Sequence, residues 1–290
     1  MIYSYYPGCA LDGSALHYRL SCDNVCKALA LDLQELEDWN CCGATAYMSV
    51  RELRSFAISA RNLALAEARG PGTQLVTVCS GCYVVLKKTN LYFREHERLR
   101  SRISGALAAA GLEYHGRVKV RHLLDVLVND VGCEAISQRV TRPLEGVKVA
   151  PYYGCQIGRP EPSFDDPEYP ETLDTLLTAI GAEAVSYPLK AECCGGMLMT
   201  TSEDVCQSLA KRLLECAVEN GAQCIATICP LCNVNLEAYQ GKLNRRFGTE
   251  FAIPVLPFTQ LVGLALGVEP KKLGLGMELV SAAKALAIRV

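Results

Sequence analysis

Ten of the sixteen cysteines fall into two series with the same internal order. The first is Cys9, then the doublet Cys41-Cys42 with Gly43, then Cys79-Ser80-Gly81-Cys82. The second is Cys155, then Cys193-Cys194 with Gly195, then Cys229-Pro230-Leu231-Cys232. Equivalent cysteines lie 146, 152 and 150 residues apart, and so constant an offset across half the chain marks an internal duplication. Three chemistries are open to such thiols. Zinc takes four ligands from paired C-x-x-C knuckles, but here the two knuckles fall in different repeats, and adjacent cysteines in an extended segment point to opposite sides. A dithiol redox site uses a C-x-x-C at a helix N-terminus, where the thiol pKa falls, but it leaves the doublets and the lone Cys9 and Cys155 idle. An iron–sulfur cluster is a larger body held by several thiolates, and a doublet with diverging sulfurs can serve two of its irons. Glycines and helix N-termini near the cysteines (Gly8, Gly43, Gly81, Gly154, Gly195 and Gly196) offer backbone N–H groups to an anionic cofactor, or simply make turns.

The elements that must present these thiols repeat as well. Residues 1–6 are β-prone and end at Gly8-Cys9. Residues 14–31 read as a helix, with Leu16, Leu20, Val25, Leu29 and Ala30 on or near one face. Residues 33–36 form a weak strand leading into the first doublet, residues 49–68 an amphipathic helix, and residues 74–78 a buried-type strand. That strand delivers the first C-x-x-C into a helix starting near Tyr83, and a further helix spans residues 93–110. A strand at 118–120 and a helix-like 122–128 close the unit. The second unit runs strand 147–150, helix 171–180, strand 184–187, helix 203–220, strand 224–228, helix 233–247, then an apolar strand-like 253–258 and helix-like 259–266. Residues 132–146 are the natural boundary, which places the domains at 1–140 and 141–290. The architecture expected is α/β: two similar units, each a small, mostly parallel sheet with flanking helices, related by a pseudo-two-fold axis.

Bulk properties narrow the function. The 290 residues and a hydrophobic content of 50% suffice for two packed cores. A net charge of −2 with no basic block excludes an electrostatic nucleic-acid footprint. The N-terminal residues lack the charged and apolar regions of a secretory signal, and no apolar run reaches the length of a membrane span, so a cytoplasmic protein is expected. In a reducing compartment sixteen cysteines are thiols or metal ligands rather than a disulfide framework. Cys22, Cys26, Cys133, Cys206, Cys216 and Cys224 fit neither series. Cys22 and Cys26, four apart on a helix, could contact one another or a partner; the default for them and for Cys206, Cys216 and Cys224 is a small buried hydrophobe, and His17, His96, His115 and His122 read as structural residues.

The doubled C…CCG…C-x-x-C arrangement resembles the cysteine-rich CCG domains in the B subunit of heterodisulfide reductase, including bacterial heterodisulfide reductase-like proteins, over nearly the whole chain. The resemblance implies one non-cubane [4Fe–4S] cluster per domain. The first would be bound by Cys9, Cys41, Cys42, Cys79 and Cys82, the second by Cys155, Cys193, Cys194, Cys229 and Cys232. It further implies a disulfide reductase working in a complex, with the disulfide held between the clusters and cleaved, or formed, there. Alternatives within the family are an electron-transfer subunit of a larger redox complex and a sulfur-oxidation complex acting on a lipoyl-bound thiol. No C-x₂-C-x₂-C-x₃-C run occurs, so a ferredoxin-type iron–sulfur subunit, like the C subunit of the family, is the expected partner, together with a flavin and iron–sulfur subunit. One segment breaks the symmetry. Residues 158–170 carry four of the thirteen prolines and read as an ordered loop over the gap between clusters or against a partner. Arg159 is its candidate contact for an anionic group, with pairing to Asp165 or Asp166 as the structural alternative.

Overall fold

The computed structural model describes residues 1–44, 47–159 and 163–288. The first half runs β1 (Ile2–Tyr5), α1 (Leu16–Ala28), β2 (Asp32–Glu35), α2 (Tyr47–Val50), α3 (Glu52–Glu67), β3 (Gln74–Thr77), α4 (Ser80–Glu95), α5 (Glu97–Ala108), β4 (Lys119–His122) and α6 (Leu123–Asp125). A π-helical stretch, Val126–Gly132, then leads into α7 (Cys133–Ser137). The second half runs β5 (Lys148–Tyr152), α8 (Thr172–Ala179), β6 (Glu183–Ala184), α9 (Glu203–Glu219), β7 (Cys224–Thr227), α10 (Pro230–Ala238), α11 (Gln240–Phe247), β8 (Val255–Pro257) and α12 (Phe258–Ala265). Each half folds into a four-stranded sheet, ordered β2-β1-β3-β4 and β6-β5-β7-β8, in which every ladder is parallel. Parallel strands need crossover helices on their faces, which is why β3 and β7 are short apolar runs rather than alternating ones.

The departures from the sequence reading have local causes. β6 is only two residues long, because Pro151 sits in β5 with no N–H to offer on the β6 side once Val149 has paired with Ala184. The helix expected at 49–68 is interrupted at Arg51 (φ −140°, ψ 60°), and the one expected from residue 93 at His96 (φ −113°, ψ 99°). Residues 233–247 divide at Tyr239 into α10 and α11. The helices after both C-x-x-C motifs start earlier than expected, at Ser80 and Pro230, so Cys79 and Cys229 are the N-cap residues and Cys82 and Cys232 lie in the first turn.

The two halves are tied together reciprocally. α1 packs on α12, and the equivalent α8 packs on α6 and α7. Residues of both halves share the larger hydrophobic core, Tyr18, Leu123 and Leu127 joining Phe258, Leu261 and Leu264, while a smaller core around Tyr187, Leu214 and Leu236 belongs to the second half. The proposed boundary segment is itself held in place: Thr141 and Arg142 N–H groups donate to Ala265 O, and Leu144 N–H to Ile180 O. No helix among the described residues is long and apolar enough to cross a membrane.

After α12 the chain turns back across both halves. Asn24 Nδ2 donates to Lys272 O, and Glu237 of α10 accepts the N–H groups of Leu279 (2.9 Å) and Val280 (3.3 Å). Burial raises the Glu237 carboxyl from 4.5 to about 7. Between those two values the folded chain holds a proton that the unfolded chain has lost, so stability falls as pH rises through the window. Glu237→Gln should match the parent at pH 4 and exceed it by roughly 2–3 kcal/mol at pH 8 in denaturant titrations. An equal offset at both pH values would show that the carboxyl does not titrate in this way.

Candidate functional site

All ten cysteines stand at the C-terminal ends of parallel strands, where crossover loops in open α/β sheets converge. Cys9 follows β1, the first doublet follows β2, and Cys79 closes β3. Cys42 Sγ lies 3.3 Å from Cys82 Sγ, and Cys9 Sγ 3.9 Å from Cys41 Sγ. Cys42, Cys79 and Cys82 are buried, whereas Cys9 and Cys41 are exposed. The structure therefore gathers this set into one cluster with a dry inner side and an open rim. In the second half, Cys194 Sγ is 3.4 Å from Cys232 Sγ and Cys155 lies within hydrogen-bonding reach of Cys193. Cys194 and Cys229 are buried and Cys193 is exposed.

Equivalent residues position both sets. Tyr6 donates its hydroxyl to Asn40 O (2.8 Å) and Tyr152 to Glu192 O (2.7 Å), each pinning the residue before a doublet. The glycine after each doublet is left-handed, with φ of +80° at Gly43 and +73° at Gly195, and lies against the helix that follows. Ser55 Oγ then donates to Gly43 O, while Cys206 Sγ reaches Cys194 O and Asn235 Oδ1. The reading of Cys206 as a plain hydrophobe therefore misses its contact with the doublet. Gly8 and Gly154 leave room for sulfur: a Cβ there would come within 3.0 Å of Cys82 Sγ and 3.3 Å of Cys232 Sγ.

The two sets meet. Cys79 Sγ and Cys229 Sγ are 3.9 Å apart across the pseudo-two-fold relation. Around them Ser80 Oγ donates to Ile228 O, the Gly81 N–H points at Cys229, and His122 Nε2 lies 3.1 Å from Ile228 O. His122 Nδ1 accepts the Leu124 N–H, so the neutral ring donates through Nε2, and burial lowers its pKa to about 4. Cys79 and Cys229 are both buried at this junction.

Crowding governs the protons. Cys41 is lowered to about 2 because the Cys42 and Cys9 thiols donate to it, and Cys9 is pushed up in return, first by its bond to Cys41. Cys193 is lowered to about 6, chiefly by the Cys155 thiol, and Cys155 rises through the same bond. Cys42 is raised to about 12, first by Cys41. Neighbouring thiols can all ionise only if positive charge replaces their protons, as metal binding does. Among the described residues no three His, Cys, Asp or Glu side chains close into a cage for a single metal ion. A rim of sulfurs at 3.3–3.9 Å spacings, cradled by glycines and helix N-termini, suits a broader, anionic, thiolate-bound body such as an iron–sulfur cluster.

Arg159 is exposed, and among the described residues it pairs with neither Asp165 nor Asp166. Asp165 instead accepts the N–H groups of Glu171 and Thr172 at the start of α8, and Asp166 those of Glu168 and Tyr169. Residues 160–162 of the Pro-rich loop lie outside the described residues. The later part of the loop crosses to the first half, where Phe164 meets Tyr83 edge-on at 6.2 Å, one residue past Cys82. Tyr169 lies over the buried Lys190 ammonium at 4.0 Å, and that ammonium also pairs with Asp174 at 3.3 Å. Neither Lys190 nor the His17–Asn233 bond (2.9 Å), which joins α1 to the helix of the second C-x-x-C, is visible as a site residue in the sequence. Asn233 stands directly after Cys232, and that adjacency was the one available signal.

The cysteine-rich domain model CCG matches residues 3–87 and 149–237, one match per half. The chain is 33% identical over 285 residues to the membrane anchor subunit of 8-methylmenaquinol:fumarate reductase from Wolinella succinogenes, covering 97% of this chain and 98% of that one. It is 34% identical over 252 residues to the B subunit of a ferredoxin/F420H2-dependent CoB–CoM heterodisulfide reductase from Methanosarcina acetivorans, covering 85% and 83%. A protein from Archaeoglobus profundus, described as like the B subunit of heterodisulfide reductase, is 32% identical over 93% of this chain and 92% of its own. A hypothetical protein from Helicobacter pylori shares the fold, with a TM-score of 0.80 at 14% identity over 97% of this chain, which spans about half (52%) of that protein. By its two matched repeats and by relatives aligned along most of its length, this chain belongs to the CCG cysteine-rich domain family.

Proposed function

We propose that this chain is a heterodisulfide reductase-type redox subunit that carries two [4Fe–4S] clusters and, within a complex, reductively cleaves or forms a disulfide. The observation that carries the reading is the abutment of two complete five-thiol sets at the Cys79–Cys229 contact of 3.9 Å. Clusters held by Cys9, Cys41, Cys42, Cys79 and Cys82 and by Cys155, Cys193, Cys194, Cys229 and Cys232 would supply one-electron chemistry at two neighbouring places. A disulfide takes up two electrons and two protons to give two thiols. The chain's residues set the approach: Cys79 and Cys229 are buried at the junction, whereas the exposed Cys9, Cys41 and Cys193 leave the outer rim open to a substrate sulfur.

That buried junction, with the similarity to a fumarate reductase subunit, favours a second reading, an electron relay without a disulfide of its own. In either case electrons come from or go to a separate ferredoxin-type or flavin-bearing subunit. The decisive measurement is anaerobic purification with native partners, reduction, and mixing with CoM–CoB disulfide or oxidised lipoamide. Cleavage predicts about two thiols released per two electrons withdrawn from the protein. Electron transfer to an acceptor dye with no thiol released from either disulfide would establish the relay instead.

A further inference from the structure

A groove of about 900 Å³ lies outside both thiol sets, and no cysteine lines it. It runs along β4, the outer strand of the first sheet, between α4 and the π-helical stretch, and Ser163 and Phe164 of the Pro-rich loop close one end. Five basic side chains line it against two acidic ones, in a chain whose net charge is −2. The two acids are already engaged: buried Arg121 holds Asp125 through Nε and Nη2 and Asp130 at 2.9 Å, and Tyr3 donates to Asp130. Arg94 and Lys119 are exposed and form no ion pair among the described residues, and Arg117, also exposed, pairs with Glu67 at 3.6 Å while its backbone N–H donates to the same carboxylate. Gly116, at φ +78°, keeps the Arg94 stem against the groove, since a Cβ there would come within 2.8 Å of Arg94 Cγ.

The backbone of β4 gives the groove direction. Lys119 pairs with Gln74 and donates to Thr73 O, so Lys119 and Arg121 turn their peptide groups inward to β3, and the alternation leaves those of Val120 facing outward. The preceding outward carbonyl, Val118 O, is taken by Asn90 Nδ2 at 2.7 Å. An outer strand whose outward peptide groups, here those of Val120, have no partner among the described residues is a template for strand addition, in which main-chain bonds give affinity and alternate side chains give selectivity. Arg94, Arg117 and Lys119 stand at the exposed rim, while Arg121 is buried with its two acids, so the cations do not converge on an enclosed point as they would for a small anion.

We propose that this groove docks an extended, acidic polypeptide segment of a partner protein, added as a strand beside β4, with carboxylates on one face of that strand against Arg117 and Lys119 or on the other against Arg94. The inference is independent of the disulfide chemistry above.

The test uses the full chain and a fluorescein-labelled Glu-Val-Glu-Val-Glu-Val peptide, followed by anisotropy and by amide hydrogen exchange. The expected results are saturable binding, slowed exchange of the Val120 amide, and affinity reduced about tenfold or more by Arg94→Glu combined with Lys119→Glu. Both substitutions are at exposed positions, and unchanged thermal unfolding confirms that the fold is retained. A Glu-Pro-Glu-Pro-Glu-Pro peptide of equal charge should bind at least about tenfold more weakly, because proline cannot supply the ladder N–H. Equal binding of the two peptides would mean charge attraction alone. Displacement by equimolar inorganic phosphate would mean a small-anion site. Binding of neither peptide would mean that Lys119 and Arg117 merely guard a sheet edge. Each of these three results overturns the proposal.

Discussion

Cys42→Ala should lower the iron and acid-labile sulfide of the anaerobically purified protein by about half, and Cys194→Ala should do the same through the other set. Both residues are buried doublet members whose sulfurs touch the second cysteine of the C-x-x-C, Cys82 at 3.3 Å and Cys232 at 3.4 Å, so each stands on the inner wall of its set. An alanine methyl cannot ligate, and no sixth thiol stands at the first doublet to take over, where Ser55 occupies the place of Cys206. Each set draws all five thiols from its own half, so the untouched set should remain filled. The 3.9 Å Cys79–Cys229 contact nevertheless makes the sets neighbours, and the surviving EPR signal should shift rather than stay identical. If Cys42→Ala keeps full iron and sulfide, the five-thiol assignment is wrong for the first half, and because Cys206 stands at the second doublet, Cys194→Ala combined with Cys206→Ser is the corresponding test for the second.

Gly195→Ala should destabilise the chain by about 3 kcal/mol, from left-handed backbone strain plus overpacking. The added Cβ would lie 2.9 Å from Cys206 Cα, a backbone atom of α9 that cannot swing away. Gly221→Ala is the control: its φ of +79° is nearly the same, but nothing lies within 4 Å of the new methyl, and about 1 kcal/mol of strain is expected alone. The difference in denaturant midpoints between the two variants measures the contact itself. Gly43→Ala should fall between them, because its close neighbour is the Ser55 hydroxyl, which can rotate. If Gly195→Ala costs no more than Gly221→Ala, the doublet glycine is only a turn residue and does not seat the doublet against α9.

The duplicated cysteine order carried much of this into the sequence. Strands β1, β3, β5 and β7 were legible because β-prone or apolar runs end at cysteine motifs, and the alternation of strands with amphipathic helices pointed to parallel sheets. Helix continuity was not legible at Arg51, His96 or Tyr239, where no glycine or proline marks the break. Residues 267–288 show no helical or strand periodicity, since they are held by scattered buried side chains such as Leu273, Leu275 and Leu286 and by the bonds of Leu279 and Val280 to Glu237 rather than by one amphipathic face. Within the candidate site, the membership of each thiol set was a matter of motif order. The junction was not, because Cys79–Cys229, His122–Ile228 and His17–Asn233 join residues 150, 106 and 216 positions apart, and no local pattern encodes such pairs. Arg159 was singled out from the composition of its loop, but Asp165 and Asp166, its alternative partners, serve as backbone acceptors instead.

The reciprocal packing of α1 on α12 and of α8 on α6 and α7 is the arrangement that two copies of a single-domain protein would form as an isologous homodimer. In such a dimer every change is made twice, so both thiol sets must stay alike. Joining the copies in one polypeptide removes that constraint. The Pro-rich loop shows the result, because Phe164 of the second half reaches Tyr83 of the first while, among the described residues, the much shorter turn after Cys9 makes no equivalent ring contact with the second half. Fusion thus lets one interface between similar halves carry two unequal faces.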